Sequence, residues 1–132
     1  MKIAITMSNS PKPKPDDSAL GFGILFTDHM FNMDYHPDEG WHNPRIEPYR
    51  PIEMDPATMV LHYGQAIFEG LKAYRTGAGT VQLFRPKDNF KRLNRSAKAL
   101  CIPEVDETFA LDALKNLLHI EKDWVPKVPE TS

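Results

Sequence analysis

Apolar and polar positions alternate over residues 21–35, "GFGILFTDHMFNMDY", and the phase of that alternation slips part-way. Phe22, Ile24 and Phe26 share one parity, whereas His29, Phe31, Met33 and Tyr35 take the other. A period of two puts each set on one face of a pleated strand, so the slip predicts one long strand with a bulge, or two strands. Residues 36–56, "HPDEGWHNPRIEPYRPIEMDP", meet a proline every few positions and predict loop with at most an edge strand, because proline cannot donate to a ladder. "MVLHY" (59–63) reads as a short strand. "GQAIFEG" (64–70), closed at both ends by glycine, predicts one or two helical turns. "LKAYR" and "VQLF" flank the glycine-bearing "TGAGT" and predict a hairpin.

The period then lengthens to that of a helix. In "RPKDNFKRLNRSAKALC" (85–101), Pro86 suits the first helical position and Asp88 complements the dipole of the first turn. Phe90, Leu93, Ala97, Leu100 and Cys101 form its apolar arc. "PEVDETFALDALKNLLHIEK" (103–122) has Asp106 as candidate N-cap and an apolar stripe of Ala110, Ala113, Leu114, Leu117 and Leu118. Strands followed by two main helices imply an α+β domain built on an antiparallel sheet. The chain closes on "DWVPKVPETS", where Trp124 and Val125 are suited to packing and a polar run follows; this reads as a chain cut short of its next strand.

Composition narrows the setting. A length of 132 residues is that of one domain, and 41% hydrophobic with 26% charged residues fits a globular protein. A net charge of −2 gives no general attraction to nucleic acid or acidic membrane. No run reaches the length of a membrane span, the first residues lack a cleavage pattern, and the single Cys101 fits a reducing compartment; these point to a cytoplasmic protein. Of the 12 prolines, several fall in "SNSPKPKPDDS" (8–18), so residues 1–19 are expected to be an extended, disordered Pro/Lys leader to a domain covering 20–132. His29, His36, His42, His62 and His119 are scattered without metal-ligand spacing, and no metal site is assigned.

The first of the two helices carries most of the charge. At about 100° per residue, Lys87, Lys91, Arg95 and Lys98 fall in a stripe roughly 80° wide. Arg92 lies about 100° away, on a face it shares with Asn89, Ser96 and Ala99. Small and polar neighbours leave that face open to close approach. A guanidinium there suits either a planar contact with phosphate or carboxylate, or a structural ion pair with another part of the chain. Tyr63 and Phe68 in "HYGQAIFEG" are similarly ambiguous: aromatic walls of a pocket, or plain core residues.

Four segments together resemble a known family. "FTDHMF" (26–31), "HYGQAIFEGLKAYR" (62–75), "LFRPKDNFKRLNRSAKALCIP" (83–103) and "KDWVP" (122–126) resemble, in order and spacing, the N-terminal small domain of branched-chain amino acid aminotransferases. These are fold-type IV enzymes dependent on pyridoxal 5′-phosphate, and the resemblance runs from about Leu20 to the last residue. It implies that Arg92, in "NFKRL", binds the cofactor phosphate, and that Tyr63, Phe68 and Phe22 line the substrate pocket, Tyr63 reaching across a homodimer. It implies leucine, isoleucine or valine and 2-oxoglutarate as substrates. The Schiff-base Lys lies in the family's second domain, so no catalytic residue is assigned to this chain, which alone is expected to be inactive and to self-associate through an exposed apolar surface. Glu69 is expected to be structural.

D-amino acid aminotransferases and aminodeoxychorismate lyases share the fold type, and the same small domain of either is an alternative. A different class is a non-catalytic binding or interaction module that follows a phosphate backbone with its basic stripe. No aromatics interleave with that stripe to stack bases.

Overall fold

The computed structural model of the chain describes residues 1–127. Its central element was unexpected. A strand, β3 (Gly40–Pro48), lies between β2 (His29–His36), with which it is antiparallel, and a two-residue strand, β1 (Ala4–Ile5), with which it is parallel. The proline-punctuated stretch therefore holds the middle strand of a mixed sheet, not a loop, and the sheet is not purely antiparallel. The reason is where the prolines fall. Asn32 pairs with Arg45 and Asp34 with His42, so Asn43 and Pro44 face Met33 alone in a bulge. Asn43 takes φ +52° there, and a bulged proline has no ladder hydrogen bond to lose. Pro48 ends the strand. Pro37 opens the hairpin turn, closed by Glu39 N–H to His36 O at 3.2 Å, and Gly40 supplies φ +69°. The bulge sits inside β2–β3, and residues 21–24 form turns instead of an earlier strand.

"MVLHY" is a helix, α1 (Met59–Tyr63), where a strand was expected. Asp55 organises the turn before it, accepting from Ala57 N–H at 2.7 Å through its side chain and from Thr58 N–H at 2.9 Å through its carbonyl. Gly64 stops it at φ +61°, the left-handed conformation that terminates helices. The predicted hairpin is present as β4 (Ala73–Arg75) and β5 (Val81–Leu83), a separate two-stranded sheet. Both predicted helices are present, as α2 (Pro86–Ala99) with Pro86 at its first position and α3 (Glu107–Ile120) with Asp106 capping Phe109 N–H at 2.7 Å. Their C-terminal and apolar faces differ in detail. Leu100 and Cys101 are exposed because the helix has ended by then, Cys101 having φ +54°. On α3 the buried residues are Leu111 and Ala113.

Ile46, 0% exposed, is the centre of the small core, with Ala97, Leu111, Ala113 and Val125. Asn94, buried in α2, joins the two helices: its amide donates to Val105 O and accepts from Val105 N–H, each at 2.9 Å.

Residues 1–19, which contain β1 and a short 3-10 turn at Asp17–Ala19, are tied down. Thr6 N–H donates to Ile46 O at 2.9 Å, and Ser8 N–H to His29 Nε2 at 2.8 Å. His29 therefore carries its proton on Nδ1 and donates it to buried Glu121, which also accepts from Asp28 N–H at 3.3 Å. Asp28 in turn accepts from Lys12 N–H at 2.8 Å, Lys14 Nζ at 2.7 Å and Trp124 Nε1 at 3.0 Å. Burial pushes the Asp28 carboxyl up, and those three donors together outweigh it, holding the group well below the ordinary carboxylate value. A depressed folded-state pKa means that the contribution to stability is complete above the unfolded value of about 4 and is lost as pH falls below it. Asp28→Ala should destabilise the chain by about 2 kcal/mol, since it leaves the Lys12 and Trp124 donors unpaired. Urea unfolding at neutral pH measures this, and protease cleavage within residues 8–15 should accelerate in parallel. An unchanged cleavage rate would mean that the leader is held elsewhere.

Candidate functional site

The segment expected to be one or two helical turns is instead an extended run laid against α2. Gln65 Nε2 donates to Leu100 O at 2.8 Å, Arg92 Nε to Glu69 Oε2 at 2.7 Å, and Asn89 Nδ2 to Gly70 O at 2.9 Å. The order of contacts makes the run antiparallel to the helix. The lengths agree: five extended residue steps and eleven helical ones each cover about 16 Å. Accessibility alternates accordingly, with Gln65, Ile67 and Glu69 partly covered and Ala66, Phe68 and Gly70 exposed. Glu69 faces the helix, and so its neighbour Phe68 must face away.

Arg92 occupies the face of α2 that the angles gave it, and there it makes an ion pair. Glu69 takes its Nε and Nη2 with both carboxylate oxygens, and Asn89 Nδ2 donates to Glu69 Oε1 at 3.0 Å. The Glu69 side chain is 9% exposed and that of Arg92 57%. Hydrogen bonds from Arg92 pull the Glu69 carboxyl down to about 2, and the same bonds raise the guanidinium above its ordinary value. The pair is thus ionised at neutral pH. Beyond it, Phe84, Arg85, Asp88, Asn89, Lys91, Arg92 and Arg95 line an open recess of about 400 Å³. Arg85 pairs with Asp88, whereas Lys91 and Arg95 make no ion pair among the described residues. Four cations thus line the recess, and two of them, Lys91 and Arg95, have no carboxylate partner among the described residues, a donor set suited to an anion.

The aromatic candidates are all at the surface. Tyr63 is 77% exposed, Phe68 90% and Phe22 88%, which removes the plain-core reading of the first two. Phe22 rides on a loop turned by Gly21 at φ +62° and Gly23 at φ +69°. That loop is fastened to the end of β3: Phe26 stacks on Tyr49 at 5.0 Å, and Lys12 Nζ donates to Phe26 O at 3.2 Å. Among the described residues no hydrogen bond, ion pair or ring contact joins Phe22 or Tyr63 to the Arg92 cluster. The residues that the structure does bring to Arg92 are Glu69, Gly70 and Asn89. Their sequence signal was the two-residue alternation of Gln65, Ile67 and Glu69, masked by the flanking glycines.

No family model matches the chain. Curated proteins do align with nearly all of it, among them three branched-chain aminotransferases. Branched-chain-amino-acid aminotransferase 2 of Bacillus subtilis (strain 168) is 55% identical over 130 residues, 98% of this chain and 36% of its own length. Branched-chain-amino-acid transaminase 1 of the same organism is 60% identical over 121 residues, 92% of this chain and 34% of its own. The family resemblance is to the branched-chain aminotransferases. The branched-chain-amino-acid aminotransferase of Mycolicibacterium smegmatis (strain ATCC 700084 / mc(2)155) agrees at 47% over 130 residues, 94% of this chain and 35% of its own. The chain spans about a third of the length of these aminotransferases.

Exposure makes a direct prediction. Phe68→Ala and Tyr63→Ala should each change the unfolding free energy by less than about 0.5 kcal/mol. Ile46→Ala, which empties the core centre, should cost about 3 kcal/mol. Chemical denaturation of the three variants distinguishes wall residues from core residues.

Proposed function

We propose that the chain is the small domain of a fold-type IV, pyridoxal 5′-phosphate-dependent branched-chain amino acid aminotransferase, with residues 20–132 as that domain. The observation that carries this reading is Arg92, held by Glu69, which Asn89 braces, at the edge of a cationic recess, in a chain aligned along its length with aminotransferases of that name. Arg92 would hold the cofactor phosphate. Tyr63, Phe68 and Phe22 would give an apolar wall to the side chain of leucine, isoleucine or valine, for which exposed aromatic surface is suited and an unpaired charge is not. The cofactor, when bound, supplies the electron sink for moving an amino group to 2-oxoglutarate. No residue of this chain moves the proton, and the chain alone is read as inactive. A homodimer of the whole enzyme in the cytoplasm completes the reading; no helix among the described residues is long and apolar enough to cross a membrane.

At the relatives' full length, Arg92→Ala should weaken cofactor retention on dialysis by at least tenfold more than Lys91→Ala, since a guanidinium meets phosphate with two donors in fixed geometry. Equal retention in the two variants would remove the phosphate role.

A further inference from the structure

We infer that Glu69 is a positioning residue for Arg92, an inference that rests on the reading of Arg92 as the phosphate anchor. Its carboxylate takes the Nε–Nη2 edge of the guanidinium and is itself held by Asn89 Nδ2 at 3.0 Å and Gly70 N–H at 3.1 Å. Of five guanidinium N–H donors, the two on that edge are committed. Nη1, with both of its hydrogens, has no protein partner among the described residues, and Arg92 lines the recess. Glu69 is nearly buried while Arg92 stays open, so the anchor is the carboxylate and the presented group is the cation.

Two effects of Glu69 on a phosphate oppose each other. Its negative charge, separated from the phosphate by a guanidinium width in largely aqueous surroundings, weakens binding about threefold. Fixing a side chain that would otherwise sample its rotamers strengthens binding about thirtyfold. Pre-organisation wins by about tenfold.

The test is a double-mutant cycle on cofactor dissociation, with the enzyme at the relatives' full length and protein-bound cofactor measured after dialysis. Glu69→Ala should weaken retention about tenfold in the parent and less than about twofold in the Arg92→Ala background, because a residue that acts through Arg92 has nothing left to position. Glu69→Gln, which keeps the size and one acceptor oxygen, should fall between parent and Glu69→Ala. A loss of equal size in both backgrounds would overturn the inference, since a merely structural role survives removal of Arg92. Tighter retention in Glu69→Ala would also overturn it, showing that charge relief outweighs positioning. If Arg92→Ala alone leaves retention unchanged, the phosphate reading fails and the positioning role fails with it. A second readout needs no cofactor: in the 132-residue chain, the Arg92 Nε–H proton should exchange slowly with water by NMR and lose that protection in Glu69→Ala. Protection that persists in Glu69→Ala would count against the inference.

Discussion

Three adjacent buried polar groups, Asp28, His29 and Glu121, organise the rest of the structure. A buried carboxylate is tolerated only where donors surround it, and here the donors come from residues 8–29 and from Trp124, far along the chain. Leader residues Ser8, Lys12 and Lys14, strand residue His29 and the indole of Trp124 all converge on the cluster. This satisfaction is what the apolar core is too small to provide alone. With α3 fixed to β2 through Glu121, Asn94 fixes α2 to the loop that starts α3, and α2 is the surface against which the 65–70 run is laid. The position of Arg92 is thus inherited, step by step, from a set of hydrogen bonds far from it.

The same logic of pairing shapes the candidate site. A strand-like run beside a helix has no ladder partner, so its backbone must find side chains. Asn89 reaches Gly70 O, and Gln65 reaches back to the end of the helix at Leu100 O. Because the run is extended, one residue's orientation dictates the next: Glu69, paired with Arg92, and the exposed Phe68 are consecutive residues facing opposite ways. A helix at 64–70 would instead have set Phe68 and Glu69 only about 100° apart, unable to serve two surfaces so cleanly.

Legibility followed the locality of the cause. Both long helices could be read because their period, the proline at position 86 and the Asp106 cap are all local. The β4–β5 hairpin could be read from its glycines. β3 could not, because the rule against proline in a central strand fails only when the proline lands in a bulge, and the bulge is defined by pairing with β2. α1 was hidden for a related reason: its five residues have no strong helical pattern, and the turn at Asp55 and the stop at Gly64 decide it. At the site, the face of α2 that carries Arg92 was legible from angles, whereas its partner was not. Glu69 is 23 positions away, and no periodicity connects them. What holds the leader was not legible either, because the groups that accept from it, Asp28 and His29, lie 14 to 21 positions further along the chain.

That last dependence has a consequence for how the protein is made. The hydrogen bonds that Asp28 and His29 donate to Glu121, and the one that Trp124 donates to Asp28, join residues 92 to 96 positions apart. At ribosomal rates of about 5–20 residues per second, Asp28 and His29 are synthesised about 5–20 s before their partners. During that interval the nascent chain lacks Glu121 and Trp124, and the polar groups of Asp28 and His29 are left to water. Closure of this polar cluster therefore waits for the residues that follow α3, whichever other part of the domain forms first.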